Sequence, residues 1–546
     1  VTSITTERIA TLIAALTALA VAMPVASIAW LALTPVADVW PHLLAYVLPQ
    51  ATRDTALLLI GVGVVTLIAG AGPAWLVSRY DFPGRAATLW LLPLPLAIPT
   101  YIAAYVYVDL FEPLGLVHRL LSPWLGPREA TAWLPQLRSL PGAIAIIGAV
   151  LTPYVYLSAR AALQLQGAEF IEAARVLGAS RFTILRRIVW PSARPALAVG
   201  LALVALETLN DIGASEYLGV RTLTVSIFTT WLNRGSLGGA AQLAMAMIVL
   251  VALLVAMERR GRQQAAAEFA AESPRLMPRV PLRGAQGAGA LAICLAPVTF
   301  GFAVPFVYLT AESLRRGPLD GSEALSRATA HSVVYAAIAG VMALALALTV
   351  AMALRWRPTI VTRLAATIAP AGYGLPGLVL ALGLLTPVLA FDNGANAIAR
   401  WLQLPLPGLV LIGSGAAVVI AYVLRFLAVP SGFLAAGLAR IPTDYDDSAA
   451  TAGASKWVTF WRVQMPLLRP ALGGAALVTF VDALKELPAT LLLRPLNVET
   501  LATSIYQYAS RGSFEEGSAA ALLIVAASIP PVLWLARVSD MPQGPA

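Results

Sequence analysis

The sequence predicts an all-α membrane protein of about twelve transmembrane helices, arranged as two parallel six-helix repeats with pseudo-two-fold symmetry. Two observations carry that prediction. Of its 546 residues, 59% are hydrophobic and only 12% charged, with mean hydropathy +0.78, whereas a soluble domain carries roughly 25% charged residues. The second observation is a stretch of chain that is written twice, at a fixed offset of 275 residues.

A helix rises about 1.5 Å per residue, so about 20 apolar residues cross a hydrocarbon core of roughly 30 Å. Runs of that length recur at 9–34, 57–77, 142–165, 238–257, 333–354 and 517–536. Twelve spans follow, near 9–34, 55–78, 87–111, 142–165, 193–213, 238–257, 288–311, 329–354, 362–390, 408–435, 471–492 and 517–537. The first is too long, and too soon followed by others, to be only a cleaved signal peptide. Residues 1–257 form the first repeat, 258–287 an arginine-rich cytoplasmic linker, and 288–546 the second repeat. The lone Cys294 excludes an internal disulfide and a zinc site of its own, and His42, His118 and His331 make no ligand-spaced cluster.

The formal charge of +9 raises the question of nucleic acid, and its distribution answers it. With the N-terminus in the cytoplasm, 24 of the 37 basic residues fall inside, against 11 of the 28 acids. Basic residues retained on the cytoplasmic side are an orientation signal. The excess is therefore topological, the bilayer is the partner, nucleic acid is not, and both termini are expected in the cytoplasm.

The duplication is clearest where 172–197, EAARVLGASRFTILRRIVWPSARPAL, meets 447–472, DSAATAGASKWVTFWRVQMPLLRPAL. Gly178-Ala179-Ser180 matches Gly453-Ala454-Ser455, Arg181 matches Lys456, and Pro191 matches Pro466. Agreement at one offset marks an internal repeat. Six spans per repeat put both copies in one orientation, the parallel-repeat arrangement. Each copy lies between the fourth and fifth spans of its half. A short helix there is interrupted by a glycine, which supplies a left-handed cap without strain. Pro191 and Pro195 are then expected to mark the turn into the fifth span.

The pattern E-A-A, three residues, G, nine residues, I, two residues, P is met by Glu172-Ala173-Ala174, Gly178, Ile188 and Pro191. It resembles the signature of permease subunits of binding-protein-dependent ABC importers. The second copy is degraded, with Asp447-Ser448-Ala449, Gly453, Val463 and Pro466. The resemblance implies a type I importer fold and an ATPase-coupling role for both segments, Arg181 and Lys456 included. It also implies two copies of an ATPase subunit and a periplasmic or lipid-anchored substrate-binding protein, at a bacterial inner membrane. The two lysines, Lys456 and Lys485, do not follow glycine, so no phosphate-binding loop of the G-x-x-x-x-G-K-[ST] type exists here. ATP and Mg are expected on the partner ATPase, no cofactor on this chain, and no catalytic residues.

The same offset pairs Glu207 with Asp482 and Asp211 with Glu486. Each half thus carries carboxylates at i and i+4, on one face of its fifth helix. Intramembrane carboxylates are costly unless they face an aqueous path or a partner. Around a two-fold axis, four of them suit transient contact with a hard, highly charged cation, with no firm metal site. Pairing with arginine, Lys485 or helix ends, or spans drawn too far out, fits the same residues. The stretches Glu207-Thr208-Leu209-Asn210-Asp211-Ile212-Gly213 and Lys485-Glu486-Leu487-Pro488-Ala489-Thr490 are similar to the fused two-repeat permeases of ferric-iron importers, which implies iron as substrate. Thiamine, phosphonate, sulfate and polyamine permeases stand as alternatives, and a secondary transporter is the competing class.

Overall fold

The computed structural model describes residues 2–34, 40–113, 115–165, 174, 176–269, 279–315 and 323–540. Among them, eleven helices are long and apolar enough to cross a membrane, and a twelfth span is a helix pair bent by 90°. That pair is the third span, Arg85–Ala97 followed by Thr100–Leu125. The twelve-span, all-α reading therefore holds, with corrections to where the spans break and end.

The third span of each half was expected as one run, 87–111 and 362–390, and both are broken. In the first half, helix Arg85–Leu91 gives way to a tight turn at Leu94–Ala97 and resumes at Thr100–Phe111. In the second, Ile360–Ile368 gives way to Ala369–Gly374 and resumes at Gly377–Trp401. The cause is proline, which lacks an N–H and clashes with the preceding turn. Pro99 (φ −59°, ψ 139°) and Pro376 (φ −56°, ψ 139°) stand extended at equivalent restarts.

Two compact units divide the chain. One comprises Val1–Val39, Thr230–Met245 and Gly321–Ser504; the other Trp40–Thr229, Ala246–Asp320 and Ile505–Ala546. In the first unit, the N-terminal helix packs along Glu323–Trp356, Ile360–Ile368 and Gly377–Trp401. In the second, Leu48–Arg79 packs on Leu140–Leu165 and on Trp190–Asn210. There too, Val304–Arg315 packs against Ser518–Asp540. The span-to-span packing buries alanine, valine and leucine, as in the fully buried Ala14, Val62, Ile147, Ala339 and Leu384.

The stretch read as a linker carries local order. The sixth-span helix, Leu237–Phe269, extends into it. A two-residue parallel pairing of Tyr80–Asp81 with Val280–Pro281 ties its far end to the foot of the second span, and the Leu282 N–H donates to the Asp81 carbonyl at 2.7 Å.

Candidate coupling segments and pathway carboxylates

The second copy of the duplicated segment is described throughout. Helix Asp444–Thr451 ends at Gly453, whose φ of +77° lies in the left-handed region. The Ala454 N–H donates to the Ala449 carbonyl at 2.9 Å, and the Gly453 N–H to the Ala450 carbonyl at 3.0 Å. These close the C-terminal carbonyls of the helix in the manner of a Schellman cap. Ser455 then caps the next helix, its hydroxyl accepting from the Val458 N–H at 3.3 Å.

The first copy repeats this geometry at the same offset. Gly178 has φ +78°, the Ala179 N–H donates to the Ala174 carbonyl at 2.9 Å, and the Ser180 hydroxyl accepts from the Thr183 N–H at 3.2 Å. Glu172 and Ala173 lie outside the described residues, and Arg181 is described in its backbone only. Among the described residues no atom lies within 4 Å of where a Cβ would project at either glycine, so backbone conformation demands glycine there.

Pro191 and Pro195 were expected to turn the chain into the fifth span, but the helix runs through both. The span extends over Phe182–Asn210, and its counterpart over Lys456–Leu484. Just before each first proline the helix widens into one π turn, Leu185–Val189 and Phe460–Gln464, which contain Ile188 and Val463. Pro191 and Pro466 cannot donate to the carbonyl four residues back, and a wider turn accommodates the missing bond. The part of each segment after the glycine is thus continuous with the fifth span.

The second copy is also held from its own unit. Arg355, at the end of the helix Glu323–Trp356, donates from Nε to Asp446 Oδ2 at 2.7 Å and from Nη2 to the Ile441 carbonyl at 3.1 Å. The Gln464 amide reaches the other Asp446 oxygen at 2.7 Å. Lys456 donates to the Trp356 carbonyl at 2.8 Å and pairs with Glu7 at 3.1 Å. Asp447 and Gly453 are exposed, while Ala449 is partly buried.

The carboxylates at the far end of the fifth spans separate into two kinds. The helix ends at Asn210 in one half and at Leu484 in the other, so Asp211 and Glu486 do not continue its face as expected. Each instead caps the short helix that follows. Asp211 Oδ1 accepts from the Ala214 N–H at 2.9 Å. Glu486 accepts from Ala489 at 3.1 Å and Thr490 at 3.2 Å. Asp211 is 7% exposed, with the Thr100 side chain beside it and its Oδ2 buried without a hydrogen-bond partner. Glu486 is 4% exposed and pairs with the equally buried Arg425 at 3.1 Å. Gly377, the first residue of the resumed third-span helix, gives this pair its room, since a Cβ there would overlap the guanidinium. Arg425 was not singled out in the sequence because it sits alone within an apolar run.

Glu207 and Asp482 do lie within the helices and are partly buried. Asp482 pairs with Lys485 at 2.9 Å. Glu207 and Asp211 belong to one compact unit, Asp482 and Glu486 to the other. Beyond the helix break in the first half, Glu216 accepts from the Tyr506 hydroxyl at 2.7 Å. Burial raises its carboxyl above the usual range, against the lowering effect of that hydrogen bond. Among the described residues no group of three or more His, Cys, Asp or Glu could hold a metal ion.

Residues 63–260 and 340–540 match the family model described as binding-protein-dependent transport system inner membrane component. The chain belongs to this family. Its two matched regions correspond to the two repeats. The permease is 24% identical over 507 residues to the Fe(3+)-transport system permease protein FbpB 2 of Haemophilus influenzae, covering 89% of this chain and 90% of that protein. It is 30% identical over 173 residues to the sulfate transport system permease protein CysT of Salmonella typhimurium, 31% of this chain and 60% of that one. It is 30% identical over 190 residues to the molybdenum transport system permease protein ModB of Escherichia coli, 33% and 80% respectively. The permease is thus the membrane component of a binding-protein-dependent ABC importer, and it crosses the inner membrane many times.

Proposed function

We propose that this permease carries ferric iron into the cytoplasm, received from a periplasmic or lipid-anchored binding protein. Two ATPase copies drive it, one at each duplicated segment, holding ATP and Mg themselves while this chain holds no cofactor. Both segments, from Glu172 to Pro191 and from Asp447 to Pro466, then face the cytoplasm, as do both termini.

The observation that carries the iron reading is the pair Glu207 and Asp482, equivalent carboxylates near the ends of the two fifth spans remote from the duplicated segments. Oxygen ligands of negative charge suit a hard trivalent cation and repel an oxyanion such as sulfate. The iron-permease relative supports the same reading, because its similarity runs through both repeats. Asp211 and Glu486 act beside this path as caps that fix where the fifth span ends.

The test is iron uptake in proteoliposomes containing the permease, its ATPase and the loaded binding protein, with ATP hydrolysis followed in parallel. Attraction between unit charges 4 Å apart is worth roughly 1 kcal/mol in water, about fivefold in rate or affinity. Glu207→Gln or Asp482→Asn alone should therefore slow uptake about fivefold or less. The double variant should slow it about 25-fold, while stimulation of ATP hydrolysis by the binding protein survives. Normal iron uptake by the double variant, or equal uptake of sulfate, overturns the reading.

A further inference from the structure

A groove of about 490 Å³ opens on the compact unit that contains the first coupling segment. Its size falls within the roughly 300–1,000 Å³ typical of small-molecule sites. Leu67, Ala71 and Trp75 of the second span form one wall, and Leu163, Ala193 and Leu197 of the fourth and fifth spans form the others. The lining is apolar except for Arg186, which is exposed, as is the neighbouring Arg187.

The groove is too deep for a soluble partner. Leu67 lies 12 residues from Arg79, the last residue of its helix, about 18 Å along the axis. Leu197 lies 11 residues beyond Arg186, about 16 Å. These are membrane-spanning helices, so the floor of the groove lies within the hydrocarbon core. Trp75 and Trp190 stand near its mouth with Arg186, and indole rings and basic side chains are the usual anchors at the depth of lipid headgroups.

We propose that this groove binds one anionic phospholipid from the leaflet on the coupling-segment side. An acyl chain lies along Ala71, Ala193 and Leu197, and the phosphate is held at Arg186. The motif-aligned positions of the second repeat argue for a site in one half only. There Leu468 replaces Ala193 and is fully buried, and Trp461 replaces Arg186. The site adjoins the coupling machinery. Val189, in its wall, forms a buried cluster with Ile184, against which Trp75, Leu163, Ala174 and Ala179 pack. Ala174 and Ala179 are the two residues that close the cap around Gly178. The bound chain therefore supports the seat of the first coupling segment.

The experiment is native mass spectrometry of the permease–ATPase complex, purified from membranes and exchanged into equal phosphatidylglycerol and phosphatidylethanolamine of identical acyl chains. The wild type should retain one phosphatidylglycerol that Ala71→Leu with Ala193→Leu loses. One basic residue near an anionic surface is worth about 1 kcal/mol, so Arg186→Gln should lower the phosphatidylglycerol preference about fivefold while a lipid is still retained. Equal retention by the wild type and the leucine variant overturns the proposal, as does a peptide mass in place of a lipid. Should the leucine variant fail to assemble, Arg186→Gln decides, because an unchanged lipid preference there is equally fatal.

Discussion

At an offset of 275 residues the described parts of the duplicated segment and the fifth span repeat the same backbone. Gly178 and Gly453 stand at φ +78° and +77°, each fifth span carries a π turn before its proline, and Asp211 and Glu486 cap the helix beyond. The side chains around that backbone differ. Beside Glu486 stands a buried arginine, whereas the charge of Asp211 is met by a helix N–H, that of Ala214. The first copy of the duplicated segment exposes Val176 and Leu177 at 88% and 86%, where the second carries Thr451 and Ala452. Backbone conformation in this permease is thus set by glycine, proline and capping groups that occur in both copies. The charges and apolar tips laid over it are free to diverge, and the two halves need not respond alike to the same substitution.

The largest difference is expected at the caps. Glu486→Gln removes the charge opposite Arg425, which is 6% exposed. Breaking a buried ion pair from one side costs about 3–5 kcal/mol. Asp211→Asn keeps an acceptor for the Ala214 N–H, and asparagine caps a helix about as well as aspartate. Thermal unfolding of the purified permease should show a clear loss for Glu486→Gln and little change for Asp211→Asn. Equal losses would mean that the arginine contributes nothing specific to the second half.

The glycines should behave alike. A non-glycine residue held in the left-handed region costs on the order of 1–3 kcal/mol, most for a β-branched one. Because no atom of the described residues crowds either position, the cost is conformational and the permease still inserts and packs. Gly178→Val and Gly453→Val should both uncouple ATP hydrolysis from uptake in proteoliposomes, with alanine at either position milder. Wild-type transport by the double valine variant would remove both segments from the coupling role.

These contrasts also show what a sequence can and cannot disclose. The left-handed glycines were legible because a left-handed turn disfavours a side chain, and the same glycine stood in both copies. The carboxylate pairs were legible by their shared offset, but their division into helix-internal residues and caps was not. That division depends on where the fifth helix stops, and apolar residues resume beyond Asn210-Asp211 and beyond Lys485-Glu486. The broken third spans were hidden for the same reason. Hydropathy weighs Pro93, Pro95 and Pro99 as side chains and does not register the N–H groups they lack. Arg425 was invisible because its partner lies 61 residues away and only the fold brings them together.

The smallest expected effect concerns the exposed tips. Apolar side chains as exposed as Val176 and Leu177 mark an interaction surface when they sit together, and here they immediately precede the left-handed glycine. Burying a leucine or valine in a partner is worth about 1.5–3 kcal/mol. Val176→Thr with Leu177→Ala converts the first tip into the second. It should weaken ATPase association about tenfold, the equivalent of 1.4 kcal/mol. The reverse change, Thr451→Val with Ala452→Leu, should strengthen the second docking by no more than the same factor. Both are read by titrating detergent-solubilised permease with the ATPase and following complex formation. Neither variant touches the glycine, the cap or the π turn, so the ratio of uptake to ATP hydrolysis at saturating ATPase should stay at the wild-type value. A fall in that ratio would show that the tips transmit force as well as bind. Unchanged affinity in both variants would place the docking surface elsewhere on the segment.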